Sequence, residues 1–122
     1  MRAVTYSAFG PAKDVMKLVQ MDTPTPAAGD VLVEVEYSGA NPSDAKARAG
    51  AGPGVTKPAF DVIVSNSDGA RISTAVGQGV DPARIGSRVW IWNGQWQRPF
   101  GTCAEYIALP SDQAVDMPDH MR

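Results

Sequence analysis

The run Asp30-Val31-Leu32-Val33-Glu34-Val35-Glu36-Tyr37-Ser38-Gly39-Ala40-Asn41-Pro42-Ser43-Asp44 decides how the chain is read. From Asp30 to Ser38, Val31, Val33, Val35 and Tyr37 fall on one side, and Leu32, Glu34, Glu36 and Ser38 on the other. Alternation of this kind, with β-branched residues turned inward, predicts a strand in a sheet that is wet on one face. The end of the run opens a helix. Asn41 can act as N-cap, and Pro42 suits the first helical position, where its missing N–H costs nothing. Asp44 lies in the first turn, Lys46 and Arg48 follow toward the C-terminal end, and Gly50 can take the left-handed cap conformation.

Upstream of this run, Thr23-Pro24-Thr25-Pro26-Ala27-Ala28-Gly29-Asp30 reads as a turn-rich connector. Further strands are predicted near Arg2–Tyr6, Met16–Met21, Asp61–Val64, Ala70–Val76, Arg88–Trp92 and Cys103–Leu109, each bounded by Gly, Pro, Asn or Asp. Many short strands with regular turns point to a barrel or a sandwich. Gly50 to Pro58 has no periodicity and reads as a mobile surface loop. Gly94, after Asn93, gives a two-residue hairpin signal that would leave Trp90 and Trp92 on one strand face and Ile91 on the other. Those tryptophans are then either core packing with a cross-strand aromatic pair or an aromatic wall for a flat substrate.

The whole chain has 122 residues, enough for one domain of 1–122. Its 11 basic and 13 acidic residues give a net charge of −2, which lacks the basic field of a nucleic-acid binder. Twelve glycines and ten prolines favour turns and short strands over long helices. No apolar run approaches the roughly 20 residues of a membrane span, and the N-terminus has no long apolar stretch, so the expected compartment is cytoplasmic.

Most catalytic constellations fail on counting. The single cysteine, Cys103, and the single histidine, His120, cannot assemble a zinc site or a nucleophile–histidine pair with any economy. Cys103 is expected to be a small core residue and His120 a solvated one. Gly77-Gln78-Gly79 begins a dinucleotide fingerprint, but Pro82 stands at the third glycine and no helical pattern follows, so it reads as a plain turn.

Several segments, in order, carry a resemblance. Met1-Arg2-Ala3-Val4 with Phe9-Gly10, Ser38-Gly39-Ala40-Asn41-Pro42-Ser43-Asp44, Ser67-Asp68-Gly69-Ala70 and Ala75-Val76-Gly77-Gln78-Gly79-Val80 come first. Ile85-Gly86-Ser87-Arg88-Val89 and Gly101-Thr102-Cys103-Ala104-Glu105-Tyr106 complete the set. Together they resemble the N-terminal GroES-like domain of zinc-independent medium-chain dehydrogenases/reductases, of the NADPH:quinone oxidoreductase type. The resemblance implies a mainly β fold, a GroES-like partly open β-barrel with one or two short helices. It implies metal-free hydride transfer from NADPH to a quinone or enone, with the nucleotide held by a Rossmann domain that these residues do not contain. Asn41 matches the family's nicotinamide-proximal asparagine, so the expected cofactor contacts are Asn41, Pro42 and Ser67. Lys46 stands where related reductases often have Tyr, which makes Asn41 and Lys46 the candidate catalytic residues, with Lys46 and Trp92 on the substrate. Zinc-dependent relatives carry their ligands near the positions of Gly39–Asn41 and Ser67.

Arg71, Asp61 and Asn66 depart from the family pattern; a bulky cation at Arg71 would obstruct the cofactor domain or demand a changed backbone. The chain stops at Asp116-Met117-Pro118-Asp119-His120-Met121-Arg122, where family members enter a linking helix and then the nucleotide domain. The expectation is therefore a substrate-side domain without useful reductase activity alone, whose exposed strand edges promote a homodimer. The alternative is a stand-alone barrel, natural or engineered, that binds or self-assembles without catalysis.

Overall fold

The computed structural model describes residues 1–50 and 56–121. Among the described residues, eight strands make two sheets that form a partly open barrel, with two short α-helices and two single-turn 3-10 helices beside them. The strands are β1 (Arg2–Tyr6), β2 (Lys17–Gln20), β3 (Asp30–Gly39), β4 (Ile63–Val64), β5 (Asp68–Val76), β6 (Arg88–Ile91), β7 (Tyr106–Pro110) and β8 (Ala114–Asp116). The helices are α1 (Ala12–Val15) and α2 (Pro42–Ala49). The larger sheet runs β7-β3-β5-β6-β8 and the smaller β2-β1-β4, every pairing antiparallel. Single bridges from Ala3 to Ala104 and from Val64 to Phe100 tie the small sheet to the segment that leads into β7.

Strand β3 is the spine, because it pairs with β5 on one side and β7 on the other. Val31 and Val33 are fully buried, as their alternation requires, and join Val89, Ile91, Ile107, Leu109 and Ala114 in one apolar cluster. Full burial of each such aliphatic side chain contributes about 1.5–3 kcal/mol. The inward stripe does not reach Tyr37, which is 68% exposed. A bulge between Val35 and Tyr37 inserts Glu36 opposite β5, and the parity of the strand changes there. The same bulge sits opposite Arg71, whose guanidinium pairs with Glu34 and Glu36. Arg71 thus lies within β5, with its guanidinium on two carboxylates of β3.

The helix α2 has the expected limits, with Gly50 at φ 79° closing it. The short α1 has too few residues to show an apolar period. Strand β7 starts later than Cys103, because the N–H groups of Thr102 and Cys103 are taken by the carbonyls of Asn66 and Ser65. Cys103 is half-buried in that crossing segment rather than in a strand. Asp61 and Val62 are exposed and stand outside β4. Of the stretch Gly50–Pro58, residues 51–55 lie outside those described, and Thr56–Pro58 have no regular structure.

The hairpin at Asn93-Gly94 does not form. Gly94 is instead buried, its N–H bonded to the Ser67 carbonyl at 2.8 Å. A Cβ there would come within 3.0 Å of that carbonyl oxygen and 3.1 Å of Ile107 Cδ1, so close packing and not a turn demands the glycine. Neither do the tryptophans enter the core. Trp90, Trp92 and Trp96 are 43%, 40% and 61% exposed, and Trp90 faces Ala70 and Val115 across the sheet, not an aromatic partner. Gly77 is in a turn, and it too answers to packing: a Cβ would lie 1.8 Å from the Ala27 carbonyl oxygen.

Candidate functional site

Where β3 ends and β5 begins, polar side chains from four segments meet. Asn41 precedes α2 in extended conformation, and its N–H donates to Asp44 Oδ2 at 2.7 Å, which fixes the start of the helix. Asp44 is buried, with its carboxylate spent on this cap. The Asn41 side-chain amide turns the other way and donates to Asp68 Oδ2 at 2.7 Å. Helix α2 and strand β5 are thereby tied together at the asparagine.

Behind this pair runs a directed chain of hydroxyls and amides. Thr102 is fully buried and donates to the Asp68 carbonyl at 2.7 Å. Having only one proton to give, Thr102 Oγ1 must accept from Ser38 Oγ, which lies 2.9 Å away. Ser38 in turn accepts from Asn66 Nδ2 at 2.9 Å, and Asn66 Oδ1 accepts from Ser65 Oγ at 3.1 Å. Asn66 holds φ 73°, a left-handed conformation that asparagine tolerates better than most residues. Ser67 takes part through its backbone, as the acceptor for Gly94.

Lys46 lies further along α2 and lines a cavity of about 400 Å³. The apolar lining comes from Tyr6, Phe9, Phe60 and Ile63, and a second cation, Arg98, completes it. Arg98 is held by its Nε and Nη2 on the Gly94 carbonyl at 3.1 and 2.8 Å, with Nη2 also on that of Asn93 at 3.2 Å. Burial pulls its guanidinium below the usual arginine range, an effect that Asp30 partly offsets. Burial likewise pushes the Tyr6 phenol up, against a smaller lowering by Gln95 and Arg48.

Trp92 lines a different cavity, of about 320 Å³, with Trp96 and Asp112, and its indole N–H donates to the Asp112 carbonyl at 3.2 Å. The structure therefore brings Asn41, Pro42 and Ser67 to one place and sets Lys46 beside them on α2, but it separates Trp92 from Lys46. The loop from Trp92 to Arg98 walls both cavities. Among the described residues, no three or more His, Cys, Asp or Glu side chains come together as metal ligands. His120 is exposed near the C-terminal end. No helix among the described residues is long and apolar enough to cross a membrane.

With this geometry in view, the match to known proteins is direct: the alcohol dehydrogenase GroES-like domain family covers residues 27–119. The chain belongs to that family. An alcohol dehydrogenase of Moraxella sp. strain TAE123 is 31% identical over 96 residues, covering 76% of this chain and 27% of the relative. A mycobacterial protein solved in complex with NADPH superposes with a TM-score of 0.84 at 26% identity, covering 100% of this chain and 35% of that one. The quinone oxidoreductase of Coxiella burnetii superposes with a TM-score of 0.83 at 26% identity, covering 100% and 38%. The GroES-like chain spans 27% and 28% of the curated relatives it matches.

Sequence reasoning missed the supporting residues of this GroES-like domain. Ser38, Asn66 and Asp68 lie in or beside quoted motifs, yet nothing local marks them as partners of Thr102 or Asn41. Arg98 carried no signal at all, since a lone arginine in an aromatic loop has no distinctive spacing.

Proposed function

We propose that this domain is the substrate side of a zinc-independent, NADPH-dependent quinone or enone oxidoreductase of the cytoplasm. On this reading, residues 1–122 form one GroES-like unit, and the nucleotide is held chiefly by a separate Rossmann domain. The observation that carries the reading is Asn41. Its amide is aimed by Asp68 at the head of α2, on the same helix that presents Lys46 to an apolar cavity. One amide N–H goes to Asp68, which leaves a second for a cofactor carboxamide.

NADPH supplies the hydride when bound. The chain's own residues then divide the remaining work. Asn41, with Pro42 holding the entry to α2 and Ser67 bracing the Gly94 loop, positions the nicotinamide. The apolar walls exclude water from the acceptor, and the Lys46 ammonium stabilises negative charge on its oxygen. Trp92 acts only through the loop it shares with Arg98. Zinc has no place in the scheme, because Gly39–Asn41 and Ser67 offer no thiolate or imidazole where zinc-dependent relatives carry ligands.

Exchanging this chain for the corresponding domain of a family member, such as the Coxiella burnetii quinone oxidoreductase, tests the proposal. The chimera is expected to oxidise NADPH with 1,4-benzoquinone, and Asn41→Ala to lower its turnover at least ten-fold. The isolated chain is expected to be inactive. A chimera that folds and binds NADPH but reduces no quinone or enone would overturn the assignment.

A further inference from the structure

The cavity edged by Lys46 carries more positive charge than a neutral acceptor needs. One cation is enough to meet the single oxyanion that develops on a quinone or enone, and Lys46 supplies it. Arg98 is a second cation in the same lining, and it is fixed rather than free. Its Nε and Nη2 are spent on backbone carbonyls, while Nη1 has no hydrogen-bond partner among the described residues. Among the described residues, no Asp or Glu lines the cavity and Arg98 makes no ion pair. Asp30 is the carboxylate whose charge reaches Arg98, and it makes no ion pair with that arginine among the described residues; Asp44 is committed to the Asn41 N–H. Asp30 offsets the burial of this half-buried guanidinium only in part, and the guanidinium's hydrogen bonds go to neutral carbonyls, so an anion in the cavity would complete the compensation.

Resting on the reductase reading above, we infer that the cavity selects a planar aromatic acceptor bearing a permanent anionic substituent, such as a carboxylate or sulfonate. Tyr6, Phe9, Phe60 and Ile63 take the ring, Arg98 takes the substituent through Nη1, and Lys46 remains with the reacting oxygen. Two cations around one low-polarity cavity raise affinity for the anion and do little for its uncharged analogue.

The test is calorimetric titration of the purified chain with anthraquinone-2-sulfonate and with its neutral sulfonamide, which lack an open position for attack by Cys103. The sulfonate is expected to bind at least ten-fold more tightly at low salt, with the preference shrinking as salt is raised. Arg98→Gln should reduce the preference several-fold. Because Arg98 also pins the Gly94 loop, Gln97→Glu serves as a second variant; it adds a carboxylate to the lining without disturbing those bonds, and should lower the preference likewise. Equal binding of sulfonate and sulfonamide, or a preference unchanged in Gln97→Glu, would overturn the inference. The two readings fail separately. Equal binding beside an active chimera removes the anion selectivity and leaves the reductase. Selective binding, matched by 1-naphthalenesulfonate and beside an inactive chimera, leaves an anion site and removes the reductase.

Discussion

Replacing Thr102 by valine keeps the shape of a fully buried side chain and deletes the central link of the polar chain. Two groups lose a partner: the Asp68 carbonyl, which accepts from Thr102 at 2.7 Å, and Ser38 Oγ, 2.9 Å away on the other side. Leaving a buried donor or acceptor unpaired costs about 1–3 kcal/mol. Ser38 is exposed and can turn to water, whereas the Asp68 carbonyl bonds a hydroxyl on the fully buried Thr102, so that bond dominates and about 2 kcal/mol is expected. With an unfolding entropy of about 2.1 cal/mol/K per residue, this lowers Tm by roughly 8 °C. Thr102→Ser is the control. It keeps the hydroxyl and gives up only the methyl that packs against Gly69 and Gly94, a loss of about 0.5–1.5 kcal/mol. Urea and thermal unfolding followed by circular dichroism give both values. If Thr102→Val is as stable as the parent, or more stable than Thr102→Ser, the directed chain contributes nothing and the reasoning fails.

Ser73 presents the opposite case. It is fully buried opposite Val33 and its hydroxyl has no partner among the described residues, so Ser73→Ala should raise unfolding stability by up to about 1 kcal/mol; a clear loss in urea would show a hidden partner. Gly77→Ala forces a Cβ to 1.8 Å from the Ala27 carbonyl oxygen and should disrupt the turn, whereas Gly79→Ala meets no atom within 4 Å and carries only the penalty of φ 86°, about 1–2 kcal/mol. Similar Tm values for the two glycine variants would contradict that ranking. The Glu105 carboxyl is held below its usual range by the Arg2 N–H, and further by the Arg2 side chain. A depressed carboxylate stabilises the fold above its unfolded pKa of about 4.3 and loses that contribution as pH falls through the lower folded value. The Tm gap between parent and Glu105→Gln should therefore close on acidification, and a gap independent of pH would refute the linkage. Strand β2 ends its sheet with Leu18 71% exposed, so light scattering should detect a dimer that Leu18→Lys weakens; a monomer at every concentration rejects pairing at this edge.

Legibility in the sequence followed the range of the forces involved. Helix α2 was readable because its cap, charge order and glycine stop act within a turn or two of one another. Strand β3 was readable as far as Val35, where local alternation still governs. Beyond it, Tyr37 went astray because a bulge belongs to the pairing of β3 with β5, and no single strand encodes its partner's register. At Asn93-Gly94 a strong local signal lost to tertiary packing. The glycine is wedged between the Ser67 carbonyl and Ile107, and of the two readings open for the tryptophans, core packing fails because all three stay at the surface.

The site divides along the same line. Asn41 could be found from its motif, but the Asp68 that aims it is remote in sequence and becomes its partner only when β5 lies beside β3. That partnership bears on the missing metal ligands. By resemblance, zinc-dependent relatives place ligands near Gly39–Asn41 and Ser67, so the metal would clamp these two segments together. Here a 2.7 Å hydrogen bond from Asn41 to Asp68 spans the same segments, backed by the Thr102 chain on one side and the Asp44 cap on the other. Such a bond orients the amide as well as joining the backbone, which a metal between thiolates would not do for an asparagine. Asp68→Ala should then free the Asn41 amide while α2, capped independently by Asp44, stays folded. Loss of turnover in the chimera with unchanged circular dichroism is the expected result; full turnover would mean that Asn41 needs no such anchor.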